Sequence, residues 1–181
     1  MIRPTDDLRT EHALSAQVAS TLAGIRRHVA EGGQFPVADV AEVLRFLRDF
    51  LVGVHFRKEN EHVWPAVAMH GSGDSATAVG ELMGLQAEAA ELIGSLVFLW
   101  EPLPDLTPIE RASFVDTVAA LLERLRQMAA IEDPLLVEFD RSVPGDDQVD
   151  LAALCRAAGS RGNAQSWRSS VAYLARRWAS S

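Results

Sequence analysis

Apolar residues recur every three or four positions along four long stretches of the chain. This spacing places them on one face of an α-helix, so each stretch predicts a long amphipathic helix. No stretch alternates apolar and polar residues convincingly, as a half-buried strand would. Four long helices with short connections predict an all-α fold, an antiparallel up-down four-helix bundle. The four stretches are residues 5–31, 37–70, 74–100 and 107–139.

Capping residues and prolines mark where these helices begin, end or bend. Thr5 precedes two acidic residues, so we expect it to cap the first helix. Thr107 and Glu110, with a proline between them, form the pattern of a capping box at the start of the fourth helix. A proline inside a helix removes one backbone hydrogen bond, so we expect a kink or fraying at Pro65 and a bend at Pro134.

The C-terminal residues form a separate pattern, which divides the chain into a bundle at 1–142 and a helical extension at 143–181. The extension predicts a short helix at 151–158, a Gly-Ser-Arg-Gly linker, and a last helix that carries Trp167 and Trp178. That last helix is basic. Two interpretations remain open: its aromatic side packs on the acidic bundle, or it forms a surface for a protein partner or a second copy of the chain.

Composition narrows the classes of partner. The net charge of −8 over 181 residues argues against nucleic acid or an anionic membrane as the main partner, since both favour basic surfaces. Cys155 is the only cysteine, which excludes a disulfide within the chain and fits a reducing cytoplasm. We see no signal peptide and no apolar run near the roughly 20 residues of a membrane span, so we expect a cytoplasmic protein.

The segment from His55 to Pro65 is the richest in metal-ligand side chains. His55 and Glu59 are four residues apart, so on a helix they lie on one face and can offer a nitrogen and an oxygen to one metal ion. Glu59 and His62 are three apart, which is the Glu-x-x-His spacing of carboxylate metal bundles. For His62 we favour exposure to solvent near the kink over ligation.

Two segments of this sequence resemble the hemerythrin-like, or HHE cation-binding, family over residues 8 to 140. The pair Glu11-His12 resembles the family's first element, and His55 to Pro65 resembles its second, including the Lys-Glu pair and the aromatic-Pro ending. The resemblance implies a four-helix bundle that holds a non-haem iron pair. Its ligands would be a His in helix one, a His-x-x-x-Glu in helix two, a Glu-His in helix three and a second His-x-x-x-Glu in helix four.

The second half of the chain departs from that pattern. Ala89 stands where the helix-three His is expected, and Met128 stands where the helix-four His is expected. The neighbouring carboxylates are retained, with Glu91 as an alternative to the helix-three acid. The resemblance therefore implies an iron site that is mononuclear or a degenerate di-iron centre. The candidate ligands are His12, His55, Glu59, Glu132 and Glu88.

Two functional hypotheses follow. In the first, the reduced site handles oxygen or peroxide or oxidises a small organic substrate, with Glu132 as a further ligand or as the catalytic proton acceptor. Whether this makes the protein an iron oxidoreductase stays open. In the second, the histidines are core residues bonded to glutamates, and no metal binds. An apolar cavity opened at Ala89 and Met128 then takes an organic ligand, or the C-terminal tail serves as an interaction module.

Overall fold

The computed structural model describes residues 4–100, 106–159 and 164–179, and helices account for nearly all of them. No strand occurs within these ranges, so the prediction of an all-α bundle with extra C-terminal helices is confirmed. The helices are α1 (Pro4–Ala30), α2 (Val37–Arg45), α3 (Trp64–His70), α4 (Gly73–Trp100), α5 (Pro108–Ser142), α6 (Gly145–Gly159) and α7 (Ala164–Trp178).

Four rods surround the core: α1, a composite second rod, α4 and α5. The composite rod runs from α2 to α3 without a break, through two π-helical segments at Phe46–Phe56 and Glu59–Val63. Apolar stripes from all four rods meet inside, as the periodicity predicts. Fully buried members of this core include Leu22, Ile25, Leu44, Leu47, Leu82, Ile93, Phe114 and Val118.

The π-helical winding is absent from the sequence prediction, which treats residues 37–70 as one α-helix. Buried pairs in the first π segment occur at residues 46–47, 50–51 and 55–56, so the interval lengthens from four residues to five. A π-helix bonds each residue to the fifth one along, which suits that longer interval. The rings of Phe50 and His55, five residues apart, stack at 6.5 Å between centroids.

Of the two predicted helix caps, the one at Thr107 is confirmed and the one at Thr5 is wrong. Thr107 accepts a hydrogen bond from the Glu110 backbone, and the Glu110 carboxylate accepts one from the Thr107 backbone, so the capping box is confirmed. Thr5 lies inside α1, and its hydroxyl donates to Asp140 Oδ1 on α5 at 2.7 Å. The prediction that Thr5 caps α1 is therefore wrong, because the side chain bonds across the bundle.

Both prolines lie within continuous helical paths. Pro65 stands in the first turn of α3, where the winding changes from π to α, and the rod continues to His70. Pro65 has no N–H to donate to the preceding turn, so the winding changes where one helical hydrogen bond is missing. Pro134 lies within α5, which runs past the predicted end to Ser142.

The aromatic side of the C-terminal tail packs on the bundle. The Trp178 indole donates to Asp39 Oδ2 at 3.1 Å, and Trp167 meets Phe46 edge to face at 5.6 Å between ring centroids. Arg177 also lies 2.9 Å from the same Asp39 oxygen. Much of the predicted linker, residues 160–162, lies outside the described residues.

One segment of α4, Gly73–Leu99, is long and apolar enough to cross a membrane by length and composition, because an 18-residue window within it has a mean hydropathy of 1.4. The expectation that no apolar run approaches that length is wrong on these two measures. Core helices of bundles pass the same test. Here α4 is the third rod and buries Leu82, Ala89 and Leu96 against its neighbours.

We predict opposite effects for the same substitution at two helical glycines. A Cβ at Gly24 would lie 2.9 Å from the Trp178 backbone oxygen, whereas a Cβ at Gly80 meets nothing within 4 Å. Gly24→Ala should destabilise the fold by about 1–3 kcal/mol because α7 must shift. Gly80→Ala should stabilise it by roughly 0.5–1 kcal/mol because alanine is the better helix former. Urea unfolding measures both, and equal effects would contradict close packing of α7 on α1.

Candidate metal centre

Two imidazoles and one carboxylate converge inside the bundle, from α1 and from the second rod. His12 Nε2 lies 3.1 Å from Glu59 Oε1, and His55 Nε2 lies 3.4 Å from the same oxygen. One donor atom from each of these side chains falls within 4.8 Å of the other two. His55 and Glu59 are buried and His12 is largely so, which brings together three of the predicted ligands.

This arrangement fits a metal ion on geometry and on chemistry. Nitrogen and oxygen donors bind first-row metals at about 2.0–2.2 Å, so neighbouring donors around one ion lie about 3.0–3.5 Å apart. Two of the three donor-to-donor distances, 3.1 and 3.4 Å, fall in that range, and all three are within 4.8 Å. Two histidines and one carboxylate form the donor set that non-haem iron uses with positions left open.

A second layer of side chains holds His55 in place. Its Nδ1 lies 2.8 Å from Glu11 Oε2, and Lys58 Nζ lies 2.5 Å from Glu11 Oε1. A carboxylate that accepts the Nδ1–H of a histidine leaves Nε2 free for a metal and fixes the ring orientation. Burial would raise the pKa of Glu11, but the hydrogen bond from His55 and the positive charges of His55 and Lys58 lower it below its usual value. Glu11 is therefore held ionised.

The surrounding carboxylates favour a cation at His55. Burial alone would lower the pKa of this imidazole, but Glu59, Glu11 and Glu132 outweigh burial and raise the pKa to about 9. Without a metal, the ring is therefore an imidazolium at neutral pH. A bound metal ion would take the place of the proton on Nε2. Either way, the site is built for positive charge.

Glu132 on α5 lies beside this group but outside it. Its Oε2 is 3.6 Å from His12 Nε2, and its buried Oε1 has no hydrogen-bond partner among the described residues. Burial and the negative charge of Glu59 raise the pKa of Glu132 to about 7, against the opposing effects of His12 and His55. A carboxyl group with such a pKa can take up or release a proton near neutrality.

Gln86 on α4 occupies the other oxygen of Glu59. Its amide donates to Glu59 Oε2 at 2.8 Å. Ala89, one turn further along α4, is fully buried and has no donor atom, and Met128 on α5 is buried with only a thioether. A carboxylate that bridges two metals needs both oxygens free, so this half of the bundle suits one ion rather than two.

Glu88 does not reach the site, and its expected role as a ligand is corrected. Its side chain is 55% exposed and lies 2.5 Å from Arg124 Nε on α5. The adjacent Ala89 points inward, and neighbouring residues on a helix differ in direction by about 100°. Glu91 is likewise exposed. His62 lies in the second π segment and is partly exposed.

The sequence prediction missed three residues that complete the centre: Glu11, Lys58 and Gln86. Glu11 and Lys58 are quoted above only as parts of the resemblance, yet both are nearly fully buried here. Their pairing joins residues 47 apart, which helical spacing does not reveal. For Gln86, the available signal is its place one turn before Ala89 on the apolar side of α4.

A cleft between α1 and α5 leads from the surface to this centre. It encloses a volume of about 490 Å³, and His12, His55 and Glu132 form part of its wall. Met128 lines it as expected, whereas Ala89 is not among its lining residues. The expected cavity therefore exists on the α5 side and is open between α1 and α5, not between Ala89 and Met128.

The raised pKa of His55 predicts how the stability of metal-free protein depends on pH. A pKa near 9, above the usual 6.5, stabilises the fold fully below pH 6.5 and loses that contribution as the pH rises to 9. The free energy of unfolding should fall across this interval, by about 1.4 kcal/mol for each unit of pKa shift. With Zn²⁺ bound as a redox-inert probe, stability should instead rise, because binding releases protons. Thermal melts with and without metal test this, and parallel profiles would contradict it.

Comparison with known proteins agrees with this geometry. A family model described as the Hemerythrin HHE cation binding domain matches residues 3–139, which cover the four rods and all the side chains of the centre. Neither the curated proteins nor the solved structures contain a match. With two histidines and a glutamate gathered inside a helical bundle, the chain belongs to the hemerythrin HHE cation-binding domain family.

Proposed function

We propose that this protein binds one non-haem iron ion and uses it to handle oxygen or peroxide or to oxidise a small organic molecule. The observation that carries the proposal is the convergence of His12, His55 and Glu59, whose donor atoms lie within 4.8 Å of one another. Membership of a cation-binding family supports a metal at this place. Iron held by two histidines and one carboxylate supplies electron exchange and open positions for small molecules.

The residues around that ion would have two roles: some would bind it and others would hold the ligands in position. His12 and His55 would bind through neutral nitrogens, and Glu59 through Oε1, because Gln86 holds Oε2. Glu11 would orient His55 through Nδ1, and Lys58 would balance the charge of Glu11. These bonds fix the donor atoms before any metal arrives, which lowers the entropic cost of binding.

Glu132 would act as the proton acceptor of the site. It stands 3.6 Å from His12, lines the cleft and has one oxygen without a partner in the described structure. Because Glu132 lines the cleft, its carboxylate is placed to accept a proton from a molecule there. This role needs no direct bond from Glu132 to the metal.

A second function is favoured by the same cleft. The volume of about 490 Å³ lies in the usual range for small-molecule sites. A metal-free protein would also satisfy its buried charges, since an imidazolium at His55 pairs with Glu11 and Glu59. In that case the bundle binds an organic ligand without redox chemistry. Metal content separates the two functions.

Metal analysis of matched variants tests the first function. Protein loaded anaerobically with Fe²⁺ and then desalted should hold about one ion per chain, by the donor count above. His55→Ala and Glu59→Ala should each lose it, because two ligands rarely hold iron. Glu88→Ala is the matched control, since that carboxylate is exposed and paired with Arg124. Less than about a tenth of an ion per wild-type chain would reject the proposal.

Substitution of the residue behind His55 should weaken binding without removing a ligand. Glu11→Gln keeps the size of the side chain but no longer offers His55 a charged acceptor. Metal affinity should fall about 10- to 100-fold, as it does for comparable outer-layer partners. Competition with a coloured chelator measures this. An unchanged affinity would show that Glu11 serves only the pair with Lys58.

A further inference from the structure

The cleft beside the metal centre has a composition that specifies its ligand. Its wall is largely apolar and includes Leu51, Phe56, Leu125 and Met128. Its rim is made of small residues, Ala13 and Ala16 on α1 and Ala129 on α5. Larger side chains at these positions would fill the space between α1 and α5. The cleft is open because the sequence places alanines there. An apolar wall of this kind favours a hydrocarbon or aromatic body.

Charges at the rim argue against an anionic ligand. Arg9 lies 2.9 Å from Asp140, and Arg126 holds Glu123 through two hydrogen bonds of 2.7 and 2.9 Å. Both guanidinium groups that line the cleft are thus already paired. Asp133 and Glu132 also line it, and both are acidic. In the metal-free protein, an incoming carboxylate would therefore meet two acidic side chains, and both arginines of the cleft already hold carboxylates.

Glu132, in the wall of the cleft, has an unsatisfied hydrogen-bonding atom. Glu132 is 6% exposed, and its Oε1 is buried without a partner among the described residues. A buried polar atom left unsatisfied costs about 1–3 kcal/mol, and rotation of the Glu132 carboxyl group would let a ligand in the cleft remove that cost. A hydroxyl group suits this place because it can both donate and accept.

We propose that the cleft binds an uncharged organic molecule with an apolar, mainly aromatic or hydrocarbon body and one hydroxyl group that bonds to Glu132. This deepens the proposed function, and it rests on that function only in taking the bound molecule as the substrate of the metal centre. The hydroxyl would then lie beside His12, whose Nε2 is 3.6 Å from Glu132. The apolar body would extend along the alanine rim toward solvent.

Displacement of a neutral fluorescent probe tests the class of ligand. N-phenyl-naphthylamine bound to metal-free protein would be displaced by naphthol, naphthalene or naphthoate, which share one ring system. We expect naphthol to compete about tenfold better than naphthalene, because it satisfies Glu132. Naphthoate should compete less well than naphthol. Better competition by naphthoate, or equal competition by all three, would overturn the proposal.

Three variants locate the site, with one matched control. Ala16→Trp and Ala129→Trp place an indole in the cleft from exposed positions, so they should fold normally and weaken probe binding at least about tenfold. Glu132→Met should abolish the preference for naphthol over naphthalene, since a thioether is a weak acceptor. Ala87→Trp, at an exposed position of α4, should leave binding unchanged. Wild-type binding by the two cleft Trp variants would overturn the assignment.

The same titration on iron-loaded protein separates the two proposals. Naphthol binding with no iron uptake would leave the cleft assignment standing and remove the metal function. Iron uptake with no naphthol binding would do the reverse. Because the probe reads ligand binding and not turnover, neither result depends on activity of the loaded protein.

Discussion

His55 lies fully inside the protein with a carboxylate on either side of its ring, and much of the surrounding structure depends on this arrangement. Charges taken out of water need partners, or they cost several kcal/mol each. Here the partners come from different parts of the chain: Glu11 from α1, Glu59 from the second rod, and Glu132 from α5. The polar cluster around His55 is therefore complete only when these helices have packed together. A helix that failed to dock would leave a buried charge uncompensated.

The two sides of the bundle differ in the side chains that they place in the core. On one side, two histidines and their carboxylates lie close together. On the other, Ala89 is buried as an apolar residue and Gln86 holds the far oxygen of Glu59. Met128 adds an apolar surface that faces the cleft. Met128 therefore offers no imidazole to the candidate metal centre and at the same time forms part of the apolar wall of the cleft.

The sequence reveals the fold because helical periodicity is repeated over four long stretches. The sequence also predicts that His55 and Glu59 lie together. Their spacing of four residues keeps the two side chains in contact although the rod there is partly π-helical. The sequence does not reveal the pairing of Glu11 with Lys58, which depends on how α1 docks. Periodicity also did not place Glu88 correctly, because neighbouring residues of a helix point in different directions. Ala89 takes the buried position, and Glu88 beside it is exposed. The cleft depends on small residues of two helices facing each other, which requires the docked pair.

The π-helical segments give the second rod a property that its neighbours lack. In an α-helix, one inserted or deleted residue turns every later side chain by about 100° and would take the core face out of register. A π turn takes in the additional residue locally. Changes of length between Arg45 and Trp64 can therefore alter the spacing around His55 and Glu59 while Trp64 and Val67 keep their places in the core. Evolution could in this way retune the ligand spacing of the centre by single-residue insertions, without rebuilding the bundle.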